Sequence, residues 1–212
     1  LLDADGNDIP LQLAGEDNPG ATTRVLELTR EEQTFSFVGL PEEPVISPLR
    51  GFSAPVRLKC DFNDDELAFR MVHDSDPFNR WEAGQTLAMK ELLRMLSDQQ
   101  QGRPFALSPK FVMSWRQALT DPDTDLSLLT QLLTLPSEQY LADQLAEFDP
   151  QAIRDVCDRA RRQLAGDCRE VLLERYNECE DSGKYRLDPQ SVGRRSLRSH
   201  CWACCWSSTN RV

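Results

Sequence analysis

Three stretches of this 212-residue sequence gather side chains capable of chemistry: "DFNDDE" at 61–66, "HDSDPFNRWEAGQ" at 73–85 and "HCWACC" at 200–205. The carboxylates of the second stretch are candidates for acid–base work, which demands a partner group and a reacting atom within hydrogen-bond reach. A zinc peptidase would need two histidines one helical turn apart and a glutamate that activates water. The only two histidines, His73 and His200, stand 127 positions apart, and neither opens an H-E-x-x-H. The sequence also lacks a G-x-S-x-G elbow, a P-loop and a G-x-G-x-x-G turn.

Each remaining cluster carries a plainer reading beside the chemical one. Asp61, Asp64, Asp65 and Glu66 could attract a hard cation, but they lack the glycine and alternate spacing of a calcium loop. Acids at a helix start are favoured by the helix dipole in any case. Cys201 and Cys204 form C-x-x-C beside His200 and Cys205, a set of three or four soft metal ligands. A structural zinc usually draws on two separated ligand pairs, and a helix end packed through Cys and Trp explains the same letters. A thioredoxin-like role lacks its βαβ surroundings.

The elements that must position these groups change character near residue 60. Residues 1–60 read as β: "LLDADGNDIPLQL" holds an Asp-Gly-Asn turn between apolar stretches, and "RVLELT" and "TFSFVGL" alternate like strands. Pro44, Pro48 and Pro55 suit edges and turns. Residues 61–212 read as helical. Asp76-Pro77, Ser108-Pro109, Asp121-Pro122, Asp149-Pro150 and Asp188-Pro189 look like helix starts, an oxygen cap followed by a residue with no N–H to leave orphaned. After Asp149-Pro150, apolar residues from Ile153 to Leu172 recur at spacings of three and four, predicting one long amphipathic helix with Gly166 as its weak point. These prolines follow no single period, so an irregular helical array is expected rather than a tandem repeat. The fold class is thus α+β in two blocks, a partial β-sandwich followed by an all-α array.

Within that frame, residues 73–85 read as a joint. Asp76 caps and Pro77 opens a helix whose face is expected to run through Phe78, Trp81, Ala88, Leu92 and Met95, with Trp81 as the anchor. Arg80 and Glu82 are expected to form partly buried ion pairs, and Gln85 completes the junction set.

Composition narrows the partners. A formal charge of −11 argues against nucleic acid as the main partner. Residues 184–212 nonetheless hold six basic side chains (Lys184, Arg186, Arg194, Arg195, Arg198, Arg211) against one acid, Asp188. A basic helical end pairing with acidic neighbours accounts for this, with an RNA-binding tail as the alternative. No apolar run reaches the roughly 20 residues of a spanning helix. Seven cysteines without a paired framework favour a reducing compartment. The opening "LLDADGNDIP", without Met or a basic leader, predicts a fragment or trimmed chain.

"FSAPVRL" at 52–58 followed by "HDSDPFNRWEAGQ", with "DGNDIPLQL" before and "RRSLRSHC" after, resembles the bacterial aminopeptidase N family of zinc metallopeptidases over residues 1 to about 201. The resemblance implies four-domain enzymes in which an immunoglobulin-like third domain leads into a helical C-terminal domain. This chain would hold the end of the one and the start of the other. The family's zinc, catalytic Glu and amine-binding segment belong to its second domain, so the resemblance implies no cofactor and no catalytic residue here. It implies a cytoplasmic, non-catalytic structural part whose partner is the missing catalytic domain and whose whole enzyme takes peptide substrates. "WACCWSSTNRV" departs from the family pattern, as a frame-shifted or truncated reading frame would. The alternative to all this is a helical protein-interaction module without enzymatic activity.

Overall fold

The computed structural model describes residues 1–56, 58–181 and 183–209, and its regular structure is helical. Chain order runs α1 (Asp64–His73), α2 (Pro77–Gln100), α3 (Pro109–Thr120), α4 (Leu126–Leu133), α5 (Glu138–Ala142), α6 (Pro150–Asp167), α7 (Arg169–Glu178) and α8 (Pro189–Thr209). Arg211 and the end of the atypical C-terminal stretch lie outside the described residues.

Local chemistry fixes most helix starts. Asn63 accepts from the Asp65 and Glu66 N–H groups while Glu66 Oε2 accepts from the Asn63 N–H at 2.8 Å, a capping box at the head of α1. Asp76, Ser108 and Asp149 cap α2, α3 and α6 with proline at the first position. Asp188 accepts from Ser191 N–H at 3.0 Å ahead of α8. Asp121-Pro122 departs from expectation: Asp121 terminates α3, and Asp125 caps the next helix by accepting from Ser127 and Leu128 N–H. Asp121 Oδ2 already accepts from Arg80 and Thr124, which fixes it in a turn.

The long helix expected after Asp149 is divided. α6 ends at Asp167 and α7 starts at Arg169, with Cys168 (φ −110°, ψ 14°) between them. A glycine two residues before the break offers little resistance to it, and Cys168 itself is buried at 1% exposure.

The helices share one apolar core. α2 packs on α1, α4 and α6, while α8 packs on α4, α6 and α7. Leu92, Met95, Phe111, Trp115, Leu129, Leu133, Val156, Leu172 and Leu197 are all essentially inaccessible. Trp115 also donates its indole N–H to Leu133 O at 3.1 Å, closing the end of α4. At the basic end, Arg186 pairs with Asp188, Arg195 with Asp181 and Arg198 with Glu180, so these cations meet acidic neighbours.

Residues 1–61 form no strand among the described residues, contrary to the expected sheet; they make three isolated antiparallel bridges, Leu2–Asp8, Leu2–Val45 and Leu13–Phe37. The Asp-Gly-Asn turn is present, with Asp3 N–H donating to Asn7 O at 3.0 Å and Asp3 Oδ1 accepting from Asn7 N–H. Pro10, Pro41, Pro44 and Pro48 lack the donors that would extend these contacts into ladders. A lone hairpin is marginal without further strands on its face.

Glycine substitutions test this packing. A Cβ at Gly84 would stand 2.7 Å from Leu132 Cδ1 and 3.3 Å from Met71 Cγ, whereas one at Gly166 meets open space. In urea unfolding, Gly84→Val is expected to lower stability by about 1–3 kcal/mol. Gly166→Ala is expected to raise it by roughly 0.5–1 kcal/mol.

Candidate functional site

The junction between residues 1–61 and α1–α2 is built around Asp74, whose side chain is 0% exposed. Its Oδ1 accepts from Ser47 Oγ at 2.9 Å, Arg50 Nη2 at 3.2 Å and the Asp76 N–H at 3.1 Å, and its Oδ2 accepts from Arg70 Nε at 3.3 Å. Arg50 extends the network to Asp8 at 2.7 Å, and Ser75 Oγ donates to Asp8 Oδ2 at 2.7 Å. A buried carboxylate is tolerated only when opposing charges and donors replace its water, and here four donors do so.

The neighbouring junction residues each take a defined part. Asp76 does more than cap α2: its second oxygen accepts from Gly51 N–H at 2.9 Å. That bond holds a tight 3-10 turn, Arg50–Phe52, in which Gly51 and Phe52 have φ of 62° and 54°. Asn79, absent from the expected set, is 2% exposed and donates to Ser47 Oγ and Pro48 O. Its signal in the sequence is faint, because an Asn in the first turn of a helix is ordinarily solvated. Gly6, at φ +88°, lies where a Cβ would stand 2.6 Å from His73 Cβ, pressing the N-terminal turn onto the end of α1.

Arg80 is the helix-side anchor. At 8% exposure it donates through Nε to Met71 O at 2.9 Å, through Nη1 to Thr124 Oγ1 at 2.6 Å and through Nη2 to Asp121 Oδ2 at 2.8 Å, tying α1, α2 and the α3–α4 turn together. Burial opposes ionisation of Asp121, yet the hydrogen bonds from Thr124, the Asp123 N–H and Arg80 outweigh it and hold the carboxyl below its ordinary range. Gln85 donates to Thr134 O at 2.8 Å, joining α2 to the end of α4.

Trp81, the expected anchor, sits at the outer side of the junction, with its ring centroid 5.7 Å from that of Phe78. It is only half-buried, and Phe78 is 36% exposed and packs at a tilt against Phe52 with ring centroids 4.4 Å apart. The helical turn of α2 places Asn79, Arg80, Ala83 and Gly84 inward instead. A polar first turn facing inward is invisible to an apolar periodicity. Glu82 is exposed and makes no ion pair among the described residues, so Arg80 alone fulfils that expectation.

The C-terminal candidates are brought near one another by α8 but not into a ligand set. Cys201 is fully buried in the helical core, and burial pushes its thiol up to about 12. Cys204 packs half-buried beside that core with its thiol pushed up to about 11, and lies 3.5 Å from His200 Nε2. Cys205 also flanks the core, its thiol raised by burial. Among the described residues no group of three His, Cys, Asp or Glu is disposed to hold a metal ion. His73 sits instead against Phe69, with ring centroids 4.7 Å apart. The donors present therefore do not fit a catalytic zinc.

Comparison with known proteins follows the same division. Residues 1–61 match the family described as domain of unknown function DUF3458, Ig-like fold, and residues 64–211 match its companion, DUF3458_C, ARM repeats. Aminopeptidase N of Escherichia coli K12 is 35% identical over 201 residues, 95% of this chain and 22% of that protein. Aminopeptidase N of Caulobacter vibrioides is 34% identical over 84% of this chain and 20% of its own length. The crystal structure of Legionella pneumophila aminopeptidase A in complex with aspartic acid superposes with a TM-score of 0.62 and 25% identity, covering 75% of this chain and 19% of that one. The chain thus spans about a fifth of the length of these relatives.

Two measurements test the site. Arg80→Ala, which strands a partly exposed Asp121, is expected to cost about 2–3 kcal/mol in urea unfolding, while Trp81→Ala costs about 1 kcal/mol; the reverse order would return the anchor to Trp81. Both histidines are depressed below their ordinary value, His200 by burial and His73 by burial and then Arg80. A base depressed in the folded state contributes stability above its unfolded value of about 6.5 and loses it as pH falls through the folded one. Stability is therefore expected to fall as the pH drops below about 6.5, and the double variant His73→Gln, His200→Gln should flatten that slope.

Proposed function

The chain belongs to the aminopeptidase N family, and from that membership we propose that it is a non-catalytic structural part of a cytoplasmic zinc-dependent aminopeptidase that removes N-terminal residues from peptides. The single observation that carries this reading is 35% identity over 201 residues with no H-E-x-x-H anywhere in the sequence. Peptide hydrolysis is assigned to the part of the relatives that these 212 residues do not match, so no chemical step is drawn through them. Its own contribution is mechanical: the Asp74 and Arg80 networks hold residues 1–61 and the helical array in one fixed relation. In this proposal residues 1–61 are part of a β-sandwich whose sheets are completed by polypeptide from the rest of the enzyme. Exposed Val25, Leu28 and Ile46 support that reading as unpartnered apolar surface.

The purified chain is expected to hydrolyse alanyl-p-nitroanilide no faster than a mock-purified control, with or without added zinc. When co-expressed with the preceding part of the Escherichia coli relative, it is expected to co-purify with that polypeptide. Hydrolysis by the chain alone would overturn the non-catalytic reading, and failure to associate would overturn the structural one.

A further inference from the structure

A cleft of about 280 Å³ lies between α1, α2 and the extended segment 58–62, and the junction does not account for it. Its floor is apolar, formed by Leu58, Phe62, Leu67 and Ala83. Its principal polar group is Arg70, which is 3% exposed. Arg70 spends Nε on Asp74 and lays its guanidinium 4.5 Å over the Phe62 ring. Its two Nη groups make no hydrogen bond among the described residues, and Arg70 lines the cleft. With only Nε engaged by a carboxylate of the protein, the outer edge of the guanidinium remains available to a further acceptor, and a planar fork matches a carboxylate bidentately.

The other walls narrow the ligand. Glu82, Thr86 and Lys90 fall one helical turn apart on α2 and all line the cleft. Lys90 is already spent on Asp64 at 2.6 Å and Phe62 O at 3.2 Å. Glu82 and the Thr86 hydroxyl have no partner among the described residues. With Asp61 also lining the cleft, two acids share its wall with Arg70. That balance disfavours a dianion such as phosphate and suits a ligand carrying one carboxylate and one ammonium. The volume is just below the roughly 300 Å³ at which drug-sized pockets begin, so the ligand is small.

We propose that this cleft binds a free α-amino acid with an apolar side chain, its carboxylate on the Arg70 Nη fork, its ammonium facing Glu82 and its side chain on Leu58, Phe62 and Leu67. The site stands independently of any role in an aminopeptidase, since it uses only residues of this chain.

The test is isothermal titration of the full 212-residue chain with leucine, leucinamide, N-acetylleucine and inorganic phosphate. Leucine is expected to bind with a Kd on the order of millimolar, in keeping with a ligand of few atoms. Leucinamide, which lacks the carboxylate, should bind at least tenfold more weakly, and phosphate more weakly than leucine. Glu82→Gln, a surface change, should weaken leucine several-fold and leave N-acetylleucine unchanged. Arg70→Lys keeps a charge for Asp74 but loses the fork and should cost at least tenfold. If that variant unfolds, Thr86→Tyr on the exposed side of α2 should block the cleft while leaving the circular dichroism spectrum intact. Equal binding of leucine and leucinamide, no saturable binding of leucine, or full binding by Thr86→Tyr would each overturn the proposal.

Discussion

The geometry of the molecule hangs on one desolvated carboxylate. Asp74 ends α1, two residues before the cap of α2, and its charge is buried where four donors converge on it from Ser47, Arg50, Arg70 and the Asp76 N–H. Two of those donors come from the irregular N-terminal block, so the carboxylate cannot keep its partners unless that block stays docked. Docking in turn sets the Arg50–Phe52 turn, whose left-handed residues are held by the second oxygen of Asp76. Strained backbone persists only where surrounding contacts over-determine it. The capping acid and the charge network do that here.

Arg80 repeats the logic one turn further along α2. Its guanidinium links the end of α1 to the α3–α4 turn through three separate acceptors, so the polar contacts of the junction pass into the helical array without a break. From there the hydrophobic term takes over. α2 packs chiefly against α1, α4 and α6, and α8 against α4, α6 and α7, and the residues between them are excluded from water. Apolar packing supplies cohesion, whereas the buried charges fix one arrangement, since misplacing Arg50 or Arg70 would leave the fully buried Asp74 carboxylate short of partners in low dielectric.

The same network leaves a remainder. Arg70 satisfies Asp74 with one nitrogen and also lines the cleft beside Phe62. Structural and binding roles can therefore sit on one side chain. A lysine there could satisfy Asp74 as a point charge but could not offer a fork.

What the sequence determined by itself was local. The Asp-Pro and Ser-Pro starts at 76, 108, 149 and 188, the turn at Asp3–Asn7 and the apolar faces of α2 and α6 were legible because cap and periodicity act over a few residues. Membership of the aminopeptidase N family was legible as well, in an ordered succession of segments. Tertiary structure alone decided the rest. Asp121 became a helix end because Arg80, forty-one positions away, claims its carboxylate. Arg80 and Asn79 are buried at the junction because a buried polar group is permitted wherever partners from distant segments meet it, and no periodicity records where those partners lie. The expected strands of residues 1–60 reduced to isolated bridges for the complementary reason. Alternation marks a face that can be buried, but a strand exists only when another backbone is beside it to accept its hydrogen bonds.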